Sequence, residues 1–333
     1  MEGTVIVTAS RRGRPLPDSI VGRLRLPVIA APMLRVSGPD LVVAACRSGV
    51  IGAFPTANAR TVEELDQWLA GMAKALAEAG GAAAPYCPNL IIRQPRFKDD
   101  LACLVRRRVE MVITSVGSPA AAVGPLHDIG AQVFADIASL RHAEKAIEAG
   151  ADGLILLTAG AGGQTGWANP FAFVRAVRAM FNGPIVLAGG VSDGASLCAA
   201  RVLGCDLAYM GTRFIATTES LAPPRYKEML VAASLDDVLL TKAFTGLDAS
   251  MLRPSIEAAG LDPAKLDEQV SVERAKQQYG GGSGQERPKR WSDIWSAGHS
   301  VSGVDSVTDA AALVERLASE YEAARGTCRA ACG

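Results

Sequence analysis

The chain carries no CxxC pair, no net charge and no apolar run of the ~18 residues that would suggest a membrane span. Without the first, a thiolate metal site or a dithiol redox couple is not expected, and no metal is assigned. Lysine plus arginine balances aspartate plus glutamate at 34 each, so nothing global favours nucleic acid or an anionic membrane. The opening MEGTVIVTASRRGRP has charges after a short apolar run and no long h-region. It reads as something other than a secretory signal, and the expected location is cytoplasmic. The cysteines, seven in all, lie mostly within apolar patterns (Cys46, Cys103, Cys198, Cys205) and read as buried reduced thiols. Cys328 and Cys332 fall in a small polar tail, residues 327–333, that is expected to fray. Aromatics make up only 5% of the chain. Trp167, Phe171, Tyr226 and Phe244 therefore stand out as a group able to wall a substrate pocket.

What is present is a regular alternation of strand and helix patterns over more than two hundred residues. Strands are expected at Pro27–Ala31, Val50–Ala53, Tyr86–Ile92, Met111–Thr114, Gln132–Asp136, Gly153–Leu157, Pro184–Leu187 and Leu207–Met210. Each is apolar throughout rather than alternating, as in a parallel sheet buried on both faces. Helical patterns lie between them. One opens on a capping box, Thr61-Val-Glu-Glu64. Eight such β–α units predict an α/β fold, a (β/α)8 TIM barrel, with an open doubly wound sheet as the competing topology. After Thr212 the rhythm stops. Residues 213–296 read as a small, mostly helical insertion after the eighth strand, with a Gly-rich hinge at Gly280–Gly284 and the basic Arg287–Arg290 behind it. The barrel is assigned residues 1–212 and 297–326, closing with a packing helix near Val307–Ala324.

Glycine clusters follow three consecutive strands of the pattern: Ala159-Gly-Ala-Gly-Gly163, Ala188-Gly-Gly190 and Gly211-Thr212. Glycine lets main-chain N–H groups approach a bound anion where a side chain would block it. Placed at the strand C-termini of a barrel, these loops predict a phosphate-bearing cofactor.

In these residues the chain resembles the nitronate monooxygenase family of FMN-dependent TIM barrels. The likeness runs through Ala30-Ala-Pro-Met33, Pro88-Asn-Leu90, Arg141-His-Ala-Glu-Lys-Ala146, Ala149-Gly-Ala-Asp152, Ala159–Gln164, Leu187–Gly190, Tyr209–Phe214, Ser250–Arg253 and Trp295–Gly298. The resemblance implies FMN, with its phosphate on Gly189, Gly190, Gly211 and Thr212 and with Ala188 also in the cofactor site. It further implies Ala31, Pro32 and Met33 against the ring, and Asn89, Lys145, Ala161, Gly162 and Gly163 completing the cofactor site. Many family members place a histidine where this chain has Gln164. Glutamine cannot act as a base near neutral pH. The expected reaction therefore starts from an already ionised nitronate, with Gln164 and Thr165 orienting the nitro oxygens. His299 is the candidate that supplies an imidazole instead.

The leading expectation is thus an FMN-dependent oxidoreductase that oxidises alkyl nitronates with O2 to a carbonyl compound and nitrite. Its partners are then a small-molecule substrate and O2, with a homodimer as an option. An NAD(P)H-dependent reductase of quinones or enoyl thioesters is the second reading, although no G-x-G-x-x-G fingerprint follows a strand. A non-catalytic flavin- or nucleotide-binding partner in a biosynthetic pathway is the third.

Overall fold

Aliphatic segments with no polar face form the strands β1 (Val28–Ala30), β2 (Ile51–Pro55), β3 (Tyr86–Ile91), β4 (Met111–Ser115), β5 (Gln132–Ile137) and β6 (Gly153–Leu157). A two-residue strand β7 (Gly163–Gln164) is followed by β8 (Ile185–Ala188) and β9 (Leu207–Met210). A computed structural model describes residues 13–80, 82–280 and 288–332. In it β1–β6, β8 and β9 pair in parallel and the sheet closes on itself. The closing pairs are Val28↔Ala208, Ile29↔Tyr209 and Ala30↔Met210, between β1 and β9. That single register excludes the open sheet. The molecule is a (β/α)8 barrel, and every strand expected from the sequence is one of its staves.

Helices α2 (Pro39–Arg47), α3 (Val62–Ala77), α4 (Phe97–Arg106), α5 (Ala120–His127), α6 (Leu140–Glu148), α7 (Pro170–Met180) and α8 (Gly194–Leu203) wrap the outside, while the short α1 (Asp18–Val21) lies ahead of β1. Thr61 caps α3 by accepting from Glu64 N at 3.1 Å, whereas the Glu64 carboxylate turns back to Arg60 N at 2.6 Å instead of Thr61 N. The interior is filled by Ile29, Ile51, Met111, Ile113, Phe134, Ile155, Val186 and Leu207, with Ile20 of α1 in the same cluster. An aliphatic interior of this kind is a packed core rather than a channel.

The segment after the barrel carries α9 (Thr212–Ile215), α10 (Pro224–Ala232), β10 (Val238–Thr241), β11 (Ala249–Leu252), α11 (Arg253–Ala258) and α12 (Val272–Tyr279). It is less helical than expected. β10 and β11 form an antiparallel sheet, and β11 extends it by pairing with β7 through Ala249↔Gln164 and Ser250↔Gly163. The segment is therefore stitched to the loop that follows β6. The hinge beyond Gly280, together with Arg287 and the opening residues 1–12, lies outside the described residues. The last helix, α13 (Ala310–Cys332), corrects the expected frayed tail, because residues 327–332 continue it. Packing of α13 on α8 brings Cys328 Sγ to 3.8 Å from Cys198 Sγ.

A buried ammonium anchors the start of this segment. Lys227 Nζ donates to the carbonyls of Thr217 at 2.6 Å, Ser220 at 3.0 Å and Thr218 at 3.4 Å. Burial lowers its pKa, so the charge is held there by those carbonyls. Lys227→Met keeps the stem and leaves the carbonyls without donors. We expect it to cost about 2–3 kcal/mol in urea unfolding; a loss below about 0.5 kcal/mol would mean that water replaces the ammonium.

Candidate active site

Strand register brings two of the glycine loops together. Ala188 of β8 pairs with Tyr209 of β9, so Gly190 and Gly211 each emerge two residues beyond that pair, at neighbouring strand ends. Gly189 and Gly190 both have positive φ, +122° and +76°. They differ in surroundings. A Cβ on Gly189 would meet Thr158 Oγ1 at 2.6 Å and Ala161 N at 3.0 Å, whereas one on Gly190 would meet nothing within 4 Å. Gly189 is fixed by its neighbours; Gly190 is exposed and borders open space. That space, which a side chain would fill, suits a phosphate-bearing group. Thr158 holds the loop in place, its N and Oγ1 both donating to Ala188 O, at 3.0 and 2.8 Å. Thr212 is buried, and its Oγ1 accepts from Gly298 N at 3.0 Å.

The loop after β1 reaches the same place. A Cβ on Gly211 would lie 3.4 Å from Met33 Sδ and 3.7 Å from Ala31 Cβ. Ser37 Oγ accepts from Met33 N at 3.0 Å, and Asn58 Nδ2 donates to Met33 O at 2.9 Å. These bonds fix Ala31-Pro32-Met33 as a rigid shelf beside the glycines. Asn89, in the second half of β3, is buried; its Oδ1 accepts from Ser115 Oγ at 2.8 Å, and its side chain also bonds the Tyr209 phenol.

The third glycine loop forms the rim. His299 N donates to Gly160 O at 2.9 Å, and the Cβ positions of Gly160 and Gly162 point at His299 Nδ1 and Gly298 N, 2.7 and 2.8 Å away. Ala161 is buried beneath them. Gln164 and His299 are both exposed there, on segments packed against each other. The Thr165 hydroxyl is committed to Thr158 O at 2.8 Å.

Two expectations are corrected. Lys145 stands exposed in the last turn of α6. A helix that follows a barrel strand runs back toward the strand N-termini, so its last turn is remote from the active face. Lys145 leaves the cofactor set. The aromatic group also divides: Trp167 and Phe171 are 81% and 64% exposed, while Tyr226 stacks on Trp295 at 4.9 Å and Phe244 packs edge-on to Tyr279 at 5.0 Å. Tyr226 and Phe244 are core residues of the inserted segment. His142, in the first turn of α6, and His127, on Asp152 at 2.9 Å, take no part in the site.

Sequence reasoning passed over three residues here. Trp291 lies near Gly163, its Cη2 3.8 Å from the glycine's Cβ position, and adopts φ +68°, an outlier for a bulky residue. Tyr209 and Asp136 point into the barrel mouth from β9 and β5. Burial raises the Tyr209 pKa well above its usual value and pushes the Asp136 carboxyl up to about 7. The available signal was an acid ending an otherwise apolar strand.

Comparison with known proteins agrees with this geometry. Residues 90–320 match the nitronate monooxygenase family. The chain belongs to that family. Nitronate monooxygenase of Paraburkholderia phytofirmans is 26% identical over 280 residues, spanning 71% of this chain and 76% of the relative. A 5-hydroxy-7a-methyl-1-oxo-octahydro-indene-4-carboxyl-CoA dehydrogenase of Mycobacterium tuberculosis is 28% identical over 233 residues, 69% of this chain and 64% of the relative. Among solved structures, FabK from Thermotoga maritima superposes with a TM-score of 0.77 at 26% identity, covering 94% of this chain and 97% of that one. Nitroalkane oxidase from Streptomyces ansochromogenes, at 24% identity and a TM-score of 0.72 over 93% of this chain and all of its own, shares the fold. This member of the nitronate monooxygenase family is a flavin-type oxidoreductase, which sets aside the non-catalytic reading. No helix among the described residues is long and apolar enough to cross a membrane.

Proposed function

We propose that the chain is an FMN-dependent oxidoreductase that converts alkyl nitronates and O2 to a carbonyl compound and nitrite. The observation that carries this reading is the open space at Gly190, at a strand end neighbouring Gly211 and the Met33 shelf. N–H groups of Gly189, Gly190, Gly211 and Thr212 would hold the phosphate there. Ala31, Pro32 and Met33 would lie along the ring, and Asn89 would meet a polar ring edge. Ala161, Gly162 and Gly163 would close the rim. Bound FMN supplies electron transfer and reaction with O2. The protein's own task is then to bind and orient an anion. Gln164, exposed on the rim, offers an amide to the nitro oxygens. His299 would stand beside it as the imidazole nearest the rim loop.

A second reading, reduction of enoyl thioesters or quinones by NAD(P)H, draws support from the carboxyl-CoA dehydrogenase relative and the fit to FabK. One anaerobic experiment separates the two. Ethyl nitronate should bleach the flavin band of the purified protein within seconds, while NADH and NADPH leave it yellow. Bleaching by a reduced nicotinamide and not by nitronate would transfer the assignment to the reductase.

A further inference from the structure

Beneath the phosphate cradle and the rim lies a cluster of which the proposed function uses Asn89 alone. Asp136 enters it from β5, Tyr209 from β9, Cys87 and Asn89 from β3, and Ser115 from β4. Asn89, Ser115 and Tyr209 satisfy one another. Asp136 stands apart. Its Oδ1 is buried without a hydrogen-bond partner, while the residue keeps part of its surface open. On its flanks β6 offers Ile155, its register partner, and β4 offers Ser115, already bonded to Asn89. The titratable groups that face it are Tyr209 and Cys87, both kept neutral by burial. Burial alone raises the carboxyl to about 7, and no neighbouring cation among the described residues counters it.

An unpaired acid in an aliphatic barrel is poor packing, since a leucine or valine would fill the space without desolvating a charge. Unpaired acids that persist in a cleft are candidates for proton chemistry. Gln164 is no base, and the His299 imidazole is exposed at the rim with its Nδ1 packed on Gly160, 2.7 Å from that glycine's Cβ position. We propose that Asp136 is the proton acceptor of this site, taking the acidic proton from the carbon next to the substrate's nitro group. The C–H bond breaks, an O–H bond forms on the carboxyl, and the electron pair stays on the substrate as its nitronate. Resting on the flavin-oxidoreductase reading, this extends the substrates to neutral nitroalkanes without an imidazole at position 164.

The test uses flavin-loaded protein under argon in D2O, with nitroethane and preformed ethyl nitronate as alternative substrates. For Asp136→Asn, deuterium wash-in at the α-carbon and flavin reduction by nitroethane should each fall about 100-fold or more. Reduction by ethyl nitronate should stay within about twofold, because that substrate has already lost its proton. Wild-type wash-in should rise with pH through a midpoint near 7, a step absent from the variant, and Asp136→Glu should restore part of it. Independently of turnover, 13C NMR of aspartate-labelled wild type should show one carboxyl titrating near that pH. Retained wash-in in Asp136→Asn would overturn the proposal. So would parallel loss of both substrates with weaker FMN binding, which would make Asp136 a positioning residue for the cofactor. The absence of any aspartate titrating between about pH 6 and 8 overturns it even where the variants do not fold. Wash-in needs no electron transfer, so failure of the flavin reading, seen as wild-type flavin that no nitronate reduces, remains a separate result.

Discussion

Gly190→Val should give a folded, colourless protein. The position has φ +76° and open space in the Cβ direction, a Cβ there meeting nothing within 4 Å. What it does meet is a backbone penalty of about 1–2 kcal/mol for a left-handed β-branched residue. In a chain of this size that lowers the melting point by a few degrees, on the order of 2–4 °C per kcal/mol. The side chain would occupy the space beside the main-chain donors proposed to hold the phosphate. FMN affinity should therefore drop by at least about 100-fold, since the phosphate loses contact with several charge-assisted donors at once. Flavin absorbance after purification and a fluorescence titration of the stripped protein measure this directly. Gly189→Val serves as the contrast. Its Cβ would press on Thr158 Oγ1 at 2.6 Å, so it should disturb the β6 loop and the fold together. A yellow Gly190→Val protein with ordinary affinity would move the phosphate elsewhere.

The barrel was legible because doubly buried strands write themselves as short apolar runs, and Ile29, Ile155 and Val186 belong to segments with no polar face to hide. Its loops were legible for a related reason: glycine is chemically informative where main chain must face a ligand. The pairing of β7 with β11 was not. Two residues, Gly163 and Gln164, have no periodicity, and their partners Ser250 and Ala249 lie more than eighty positions away. Lys145 misled because a motif transfers a residue's identity and not its height on the helix; five positions past Leu140 it has already turned toward the far end of the barrel. The aromatic group misled because ring-rich composition is equally suited to a pocket and to a core, and the stack of Tyr226 on Trp295 is core. Asp136 was passed over since one acid at the end of a strand looks like a turn residue until the neighbouring staves are in place.

Asp136 should also make the flavin-free protein less stable as pH rises. Its folded pKa of about 7 lies above the ~3.9 of an unfolded aspartate. Between those values the folded state holds the extra proton, so this group's stabilisation is fully present below about pH 4 and is lost as pH climbs through 7. Between pH 5 and 8.5 the loss amounts to about 3 kcal/mol. Other carboxylates act in the opposite direction: Arg107 beside Asp66 and Arg316 beside Asp305 hold those pKa values down. The informative quantity is accordingly the difference between wild type and Asp136→Asn, measured by urea unfolding at both pH values. The variant should gain on wild type by that amount at the higher pH, because asparagine has no charge to bury. Identical pH dependence in the two proteins would show that water or an unrecognised donor already solvates the carboxylate. A gain of the expected size would mean that the natural residue is kept against folding stability, as acids retained for chemistry are.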